Sequence, residues 1–165
     1  MSHLQPCVYV ESLSDKLFAE AILRPYNVDI HEGMTTSGTI ARAQFSLLEH
    51  PDRPVAVLLT EPTGDARERE QNRASVKRLL ARAAPEGWYV GVAVPRLDAW
   101  AMTDPRIKQD FESYFQGRAN YLDRARRFAE ITRNQSFDPT ELSRQSADFR
   151  GLIAFLKQHS PAPSR

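Results

Sequence analysis

Four short segments hold the side chains best suited to chemistry. They are Glu11 with Ser12, Ser14 and Asp15; His31-Glu32-Gly33; Thr60-Glu61-Pro62-Thr63-Gly64-Asp65; and Pro95-Arg96-Leu97-Asp98. Each carries at least one carboxylate. Carboxylates gathered in one place repel one another unless a cation or basic side chains neutralise them. Mg²⁺ and similar hard ions take oxygen ligands of this kind, and such ions support phosphate chemistry by holding substrate oxygens. The competing reading is that acidic residues are simply common in loops. Asp15 has a second use in any case: with Ser12 three residues before it, it fits a capping box at a helix start.

Each segment follows a short apolar run, and these runs must be the elements that position it. Cys7-Val8-Tyr9-Val10 reads as a strand. A helix follows, with Leu17, Phe18, Ala21 and Ile22 at helical spacing, and Pro25 closes it. Val28-Asp29-Ile30 is a weaker strand, and a helix is expected from about Thr39 to His50. Val55-Ala56-Val57-Leu58-Leu59 is continuously apolar, as in a strand covered on both faces. A charged helix, Arg67 to Ala84, leads to a fourth strand over Tyr89–Val94. Strand–helix alternation with long crossovers predicts a mostly parallel four-stranded α/β sheet. In such sheets, sites lie outside the carboxyl ends of the strands, where the four acidic segments fall. After Pro95 only helices are expected: Leu97–Met102, Ile107–Phe115, Tyr121–Thr132 and Thr140–His159, with a frayed tail at Ser160–Arg165.

Composition bounds these readings. A chain of 165 residues suits one domain. The 22 Lys+Arg and 21 Asp+Glu give a net charge of +1, which excludes a uniformly basic wrapper of nucleic acid but not a local basic face. One cysteine, Cys7, excludes an internal disulfide and a multi-cysteine zinc site, and core packing is its expected role. His3, His31, His50 and His159 form no H-x-x-x-H pair, and only His31 ends a predicted strand. The longest apolar run is far short of the ~20 residues that span a bilayer. With no basic, apolar leader at the N-terminus, the expectation is a soluble cytoplasmic protein without a membrane partner.

Two further features bear on partners. The helix Arg67 to Ala84 carries Arg67, Arg69, Arg73, Lys77, Arg78 and Arg82, and Arg118, Arg124, Arg126, Arg127 and Arg133 follow later. Such a face, with Arg67, Arg73, Lys77 and Arg78 as its candidates, suits phosphates of DNA or RNA, or is a solvated helix surface. Trp88 and Trp100 could stack on bases, although packing is their commoner use. Thr36-Ser37-Gly38-Thr39 could bind an anion at a helix N-terminus or merely cap it. No G-x-x-x-x-G-K-[ST] loop is present, so the chain is not itself a P-loop ATPase.

Val10-Glu11-Ser12-Leu13-Ser14-Asp15-Lys16-Leu17-Phe18, with Ile22-Leu23 behind it, resembles the first motif of TOPRIM domains of the OLD-nuclease type. Val94-Pro95-Arg96-Leu97-Asp98-Ala99-Trp100-Ala101-Met102-Thr103-Asp104 resembles a P-x-[IL]-E-x-W-L-L-A-D segment of the same group. The resemblance covers about residues 7–104. It implies a Rossmann-like TOPRIM core over residues 1–104 and a helical C-terminal extension over 105–165. It also implies nucleic-acid processing, in defence or repair, with Glu11 as general acid/base or metal ligand. Asp15 and Asp98 take the family's other acidic positions, Asp98 being one methylene shorter. The family's D-x-D pair is replaced by Thr60-Glu61-Pro62-Thr63, so at least one carboxylate is missing, with Glu61 or Asp65 as its only nearby substitutes. OLD-type domains work with an ATPase, which implies a separate ATPase partner here.

Two expectations follow. One is a phosphodiesterase (nuclease) using Mg²⁺ or Mn²⁺ held by Glu11, Asp15, Glu61, Asp65 and Asp98. The other is a catalytically inactive TOPRIM-like module that binds nucleic acid or a partner ATPase.

Overall fold

A computed structural model describes residues 4–115 and 120–159, with only the backbone of Phe115. The predicted features at Arg118 and at the tail 160–165 lie outside the described residues. Four strands form one parallel sheet: β1 (Cys7–Val10), β2 (Asp29–Glu32), β3 (Val55–Thr60) and β4 (Trp88–Ala93), in the order β2-β1-β3-β4. The helices α1 (Leu13–Ile22), α2 (Thr36–Glu49) and α3 (Ala66–Ala83) alternate with them. Then come α4 (Leu97–Ala101), α5 (Pro105–Phe115), α6 (Tyr121–Asn134), α7 (Thr140–Gln145) and α8 (Ala147–His159). The expected class, an α/β core with a four-stranded parallel sheet and a helical C-terminal part, is the one observed.

Side-chain alternation along the strands sorts the core into two layers. Val8, Val10, Ala56 and Leu58 face one side, where they pack with Phe18 of α1, Trp100 of α4, Phe128 of α6 and Phe149 of α8. Cys7, Tyr9, Val55, Val57 and Leu59 face the other, against Ile40, Ala43 and Leu47 of α2 and Val76 and Leu80 of α3. On this side α1, α4 and α8 pack on the sheet, and α6 packs on α1. Their apolar side chains join the same cluster as the strands.

Helices α3 and α8 also close an edge of the sheet. β4 is an edge strand, whose unpaired backbone groups invite foreign pairing unless covered. Asp148 of α8 accepts the Val92 N–H at 2.7 Å, and Arg73 of α3 donates to the Val90 carbonyl at 3.2 Å. Arg73 donates to both oxygens of Asp148 at 3.0 Å, so the two caps hold each other.

Several boundaries differ from the sequence reading. The expected single helix Thr140–His159 breaks at Ser146, which has extended geometry and accepts the Phe149 N–H at 3.1 Å as a new cap. Leu142 and Phe149 bury into one cluster across that break, so the apolar pattern continues where the backbone does not. β2 pairs over Asp29–Glu32 rather than from Val28. α2 starts at Thr36, three residues early, because Thr35 Oγ1 accepts the Gly38 N–H at 2.9 Å.

Candidate functional site

The connection leaving β1 runs to β2, and the chain then crosses to β3 on the other side of β1. That reversal makes the gap between the carboxyl ends of β1 and β3 the switch point where α/β sheets bind ligands. Glu11 stands there. Its Oε1 accepts the Thr60 N–H at 2.9 Å and the Thr60 hydroxyl at 3.2 Å, and Oε2 accepts the Thr36 hydroxyl. Glu11 thus ties the end of β3 to the first residue of α2. At Gly33, between β2 and α2, an added Cβ would lie 2.3 Å from Thr39 Cα. Only a residue without a side chain lets these two elements approach so closely.

Asp15 lies in the first turn of α1 and is only 4% exposed. Ser12 Oγ accepts the Asp15 N–H at 3.1 Å and donates to Asp15 Oδ2 at 2.9 Å. The half of the capping box in which Asp15 would return to the Ser12 backbone is replaced by this side-chain bond. The other oxygen, Oδ1, accepts the Tyr121 hydroxyl at 2.5 Å. Burial pushes the Asp15 carboxyl above its ordinary range, against the bonds from Tyr121 and Ser12 and the attraction of Arg96; Glu11 adds to the rise. The Tyr121 hydroxyl is pushed far up, first by its own burial and then by the charge of Asp15. It therefore remains a donor at any physiological pH.

Asp98 is buried in the first turn of α4. Arg124 Nε lies 3.2 Å from Asp98 Oδ2, in ion-pair contact without hydrogen-bond alignment, and Arg96 reaches the same oxygen at 3.9 Å. The Arg96 guanidinium covers the Tyr121 ring, 4.3 Å from its centre, a favourable cation–π position. Glu61 is 3% exposed and turns into its own loop, accepting the Thr63 N–H at 3.1 Å, the Thr63 hydroxyl at 2.5 Å and Asn72 Nδ2 at 3.0 Å. Asp65 caps α3, accepting the N–H groups of Arg67 at 2.8 Å and Glu68 at 3.4 Å.

Of the predicted acidic set, Asp15 and Asp98 meet through Tyr121, Arg96 and Arg124, with Glu11 close enough to act on Asp15 electrostatically. Glu61 and Asp65 are held by their own loop and by α3. Among the described residues, no three of these five carboxylates bring ligand oxygens within 4.8 Å of one another. The arrangement does not fit a ready divalent-metal centre: it supplies its own guanidinium groups where an ion would otherwise neutralise charge. Asp104, which ends the second family-like segment, is 1% exposed and accepts the N–H groups of Arg106 at 3.1 Å and Asp138 at 3.0 Å, so it fixes the start of α5.

The basic candidates separate as well. Arg67, Lys77 and Arg78 are exposed on α3, whereas Arg73 is turned inward to Asp148 and Val90. Arg127 is held by Asp110 at 2.7 Å, while Arg126 and Arg133 are exposed. Trp100 packs edge-on to Phe149, and Trp88 Nε1 donates to the Ala84 carbonyl. Tyr121 and Arg124 were missed as site residues, and Arg96 was noted only as part of its segment. Arg96 carries a local signal, since it follows β4 directly; the other two arrive from a distant helix with no spacing to mark them.

Among the described residues, no helix is long and apolar enough to cross a membrane. Compared with family models, with curated proteins and with solved structures, the chain has no match.

Proposed function

We propose that the chain is a TOPRIM-like module of nucleic-acid processing whose acidic strand edge is neutralised internally, so that it binds rather than hydrolyses. The observation that carries this reading is the commitment of the five expected ligands to protein partners: Glu11 to Thr60 and Thr36, Asp15 to Tyr121 and Ser12, Asp98 to Arg124, Glu61 to Thr63 and Asn72, and Asp65 to the start of α3. Two-metal hydrolysis needs carboxylates free to hold ions against the attacking and leaving oxygens. Recruiting Asp15 for that purpose would mean breaking buried hydrogen bonds to a carboxylate, each costing about 1.5–3 kcal/mol, and recruiting Asp98 would mean parting it from Arg124. The exposed cations Arg67, Lys77 and Arg78 on α3 remain available to phosphates or to an acidic face of a partner ATPase.

One observation favours the phosphodiesterase reading instead. Glu11 sits at the switch point with only neutral donors around its oxygens, and such donors would allow a cation to approach. Calorimetric titration with Mg²⁺ tests the choice. The module reading expects no saturable heat at millimolar ion. Saturable binding that Glu11→Ala abolishes supports the phosphodiesterase.

A further inference from the structure

The opposite end of β1 carries a second constellation, independent of the acidic edge. β1 and β2 run parallel with Cys7 opposite Asp29 and Tyr9 opposite His31. Side chains two apart share a face, so Cys7, Asp29 and His31 project together on the α2 side of the sheet. Their ligand atoms (a thiol sulfur, a carboxylate oxygen and an imidazole nitrogen) all lie within 4.8 Å of one another, the one such group among the described residues. Cys7 is separated from Glu11 by four residues of extended chain, roughly 13 Å.

From this geometry we infer a binding site for a zinc-type divalent ion, held by Cys7, Asp29 and His31 with one coordination position left for water or a small anion. Three features support it. The donor set is the mixture of sulfur, nitrogen and oxygen that Zn²⁺ accepts and that Mg²⁺ or Ca²⁺ does not favour. The donors stand on hydrogen-bonded neighbouring strands, which place side chains more firmly than loops do. Neighbouring side chains hold two of the three donors in place. The His31 ring stacks on Tyr9 with centres 5.4 Å apart, and Arg53 Nη1 donates to Cys7 Sγ at 3.7 Å. Of the three donors, His31 also lines a neighbouring cavity of about 450 Å³, with Tyr9, Arg42, His50 and Arg53.

Cobalt(II) tests the site in the full chain after chelator treatment. One equivalent should produce a thiolate-to-cobalt charge-transfer band in the near ultraviolet and the strong visible bands of a four-coordinate ion. One equivalent of Zn²⁺ should remove both. The chain has a single cysteine, so the band reports Cys7 alone, and Cys7→Ser should eliminate it. Asp29 is exposed and His31 half-buried on the edge strand, so Asp29→Asn and His31→Ala should fold while weakening cobalt binding more than about tenfold. His50→Ala, in the cavity but outside the trio, should bind as the unaltered chain does. The absence of a charge-transfer band at millimolar cobalt overturns the proposal. So does unaltered affinity in both Asp29→Asn and His31→Ala, or a band that depends on His50 instead.

Discussion

Removing one hydroxyl, in Tyr121→Phe, probes the acidic edge with little disturbance to packing. The ring would keep its neighbours Phe18, 5.4 Å away between centres, and Arg96, at 4.3 Å. The main loss would be the 2.5 Å bond to Asp15 Oδ1, together with the hydroxyl's contact with the Leu97 backbone. A hydrogen bond to a charged group contributes about 1.5–3 kcal/mol, and the oxygen left behind is buried. The expected loss is about 2 kcal/mol near neutral pH, roughly 4–8 °C in Tm for a chain of this length. The sign of its pH dependence is fixed. Burial raises the carboxyl of Asp15 in the folded state, so its protonated form suits the fold. What Asp15 contributes is fully present at low pH and is lost as pH rises through its folded value. The Tyr121 bond favours the ionised form. The deficit of Tyr121→Phe should therefore be largest at neutral pH and shrink as acid protonates Asp15. Urea unfolding of both proteins at several pH values measures this directly. Equal stability at neutral pH, or a deficit that stays constant into acid, would refute the placement of Tyr121 as the buffer of a buried charge.

Two further substitutions test other parts of the account. Asp148→Ala leaves Val92 N–H uncapped and Arg73 with Glu70 as its remaining acidic partner, and should cost roughly 2–4 kcal/mol, read from the urea midpoint. It should also increase self-association by exposing β4, which light scattering would detect. Gly33→Ala drives a Cβ to 2.3 Å from Thr39 Cα and should cost at least about 1–3 kcal/mol by thermal melt, with the loss centred on the β2–α2 approach.

The parts legible in sequence were those with local causes. Val55–Leu59 read as a strand because it is apolar without interruption, and the Ser12 cap read correctly because its partner is three residues away. The break at Ser146 was hidden because Leu142 and Phe149 bury into one cluster on either side of it. The acidic residues were found, but their neutralisation was not. Tyr121 is 106 residues from Asp15, and that pairing depends on how α6 crosses α1. Arg73 reads as one more cation on a charged helix until α8 brings Asp148 against it. The same holds for Cys7, Asp29 and His31. No spacing links them, because parallel register sets their meeting.

Plasmid nicking in Mg²⁺ and in Mn²⁺, with the unaltered chain beside Glu11→Ala, tests the central claim most directly. An acidic edge held by the charges of Arg96 and Arg124 and by the Tyr121 hydroxyl predicts no cleavage above buffer by either protein. Cleavage by the unaltered chain that disappears in Glu11→Ala would contradict it, and would make Glu11 the centre of a working phosphodiesterase.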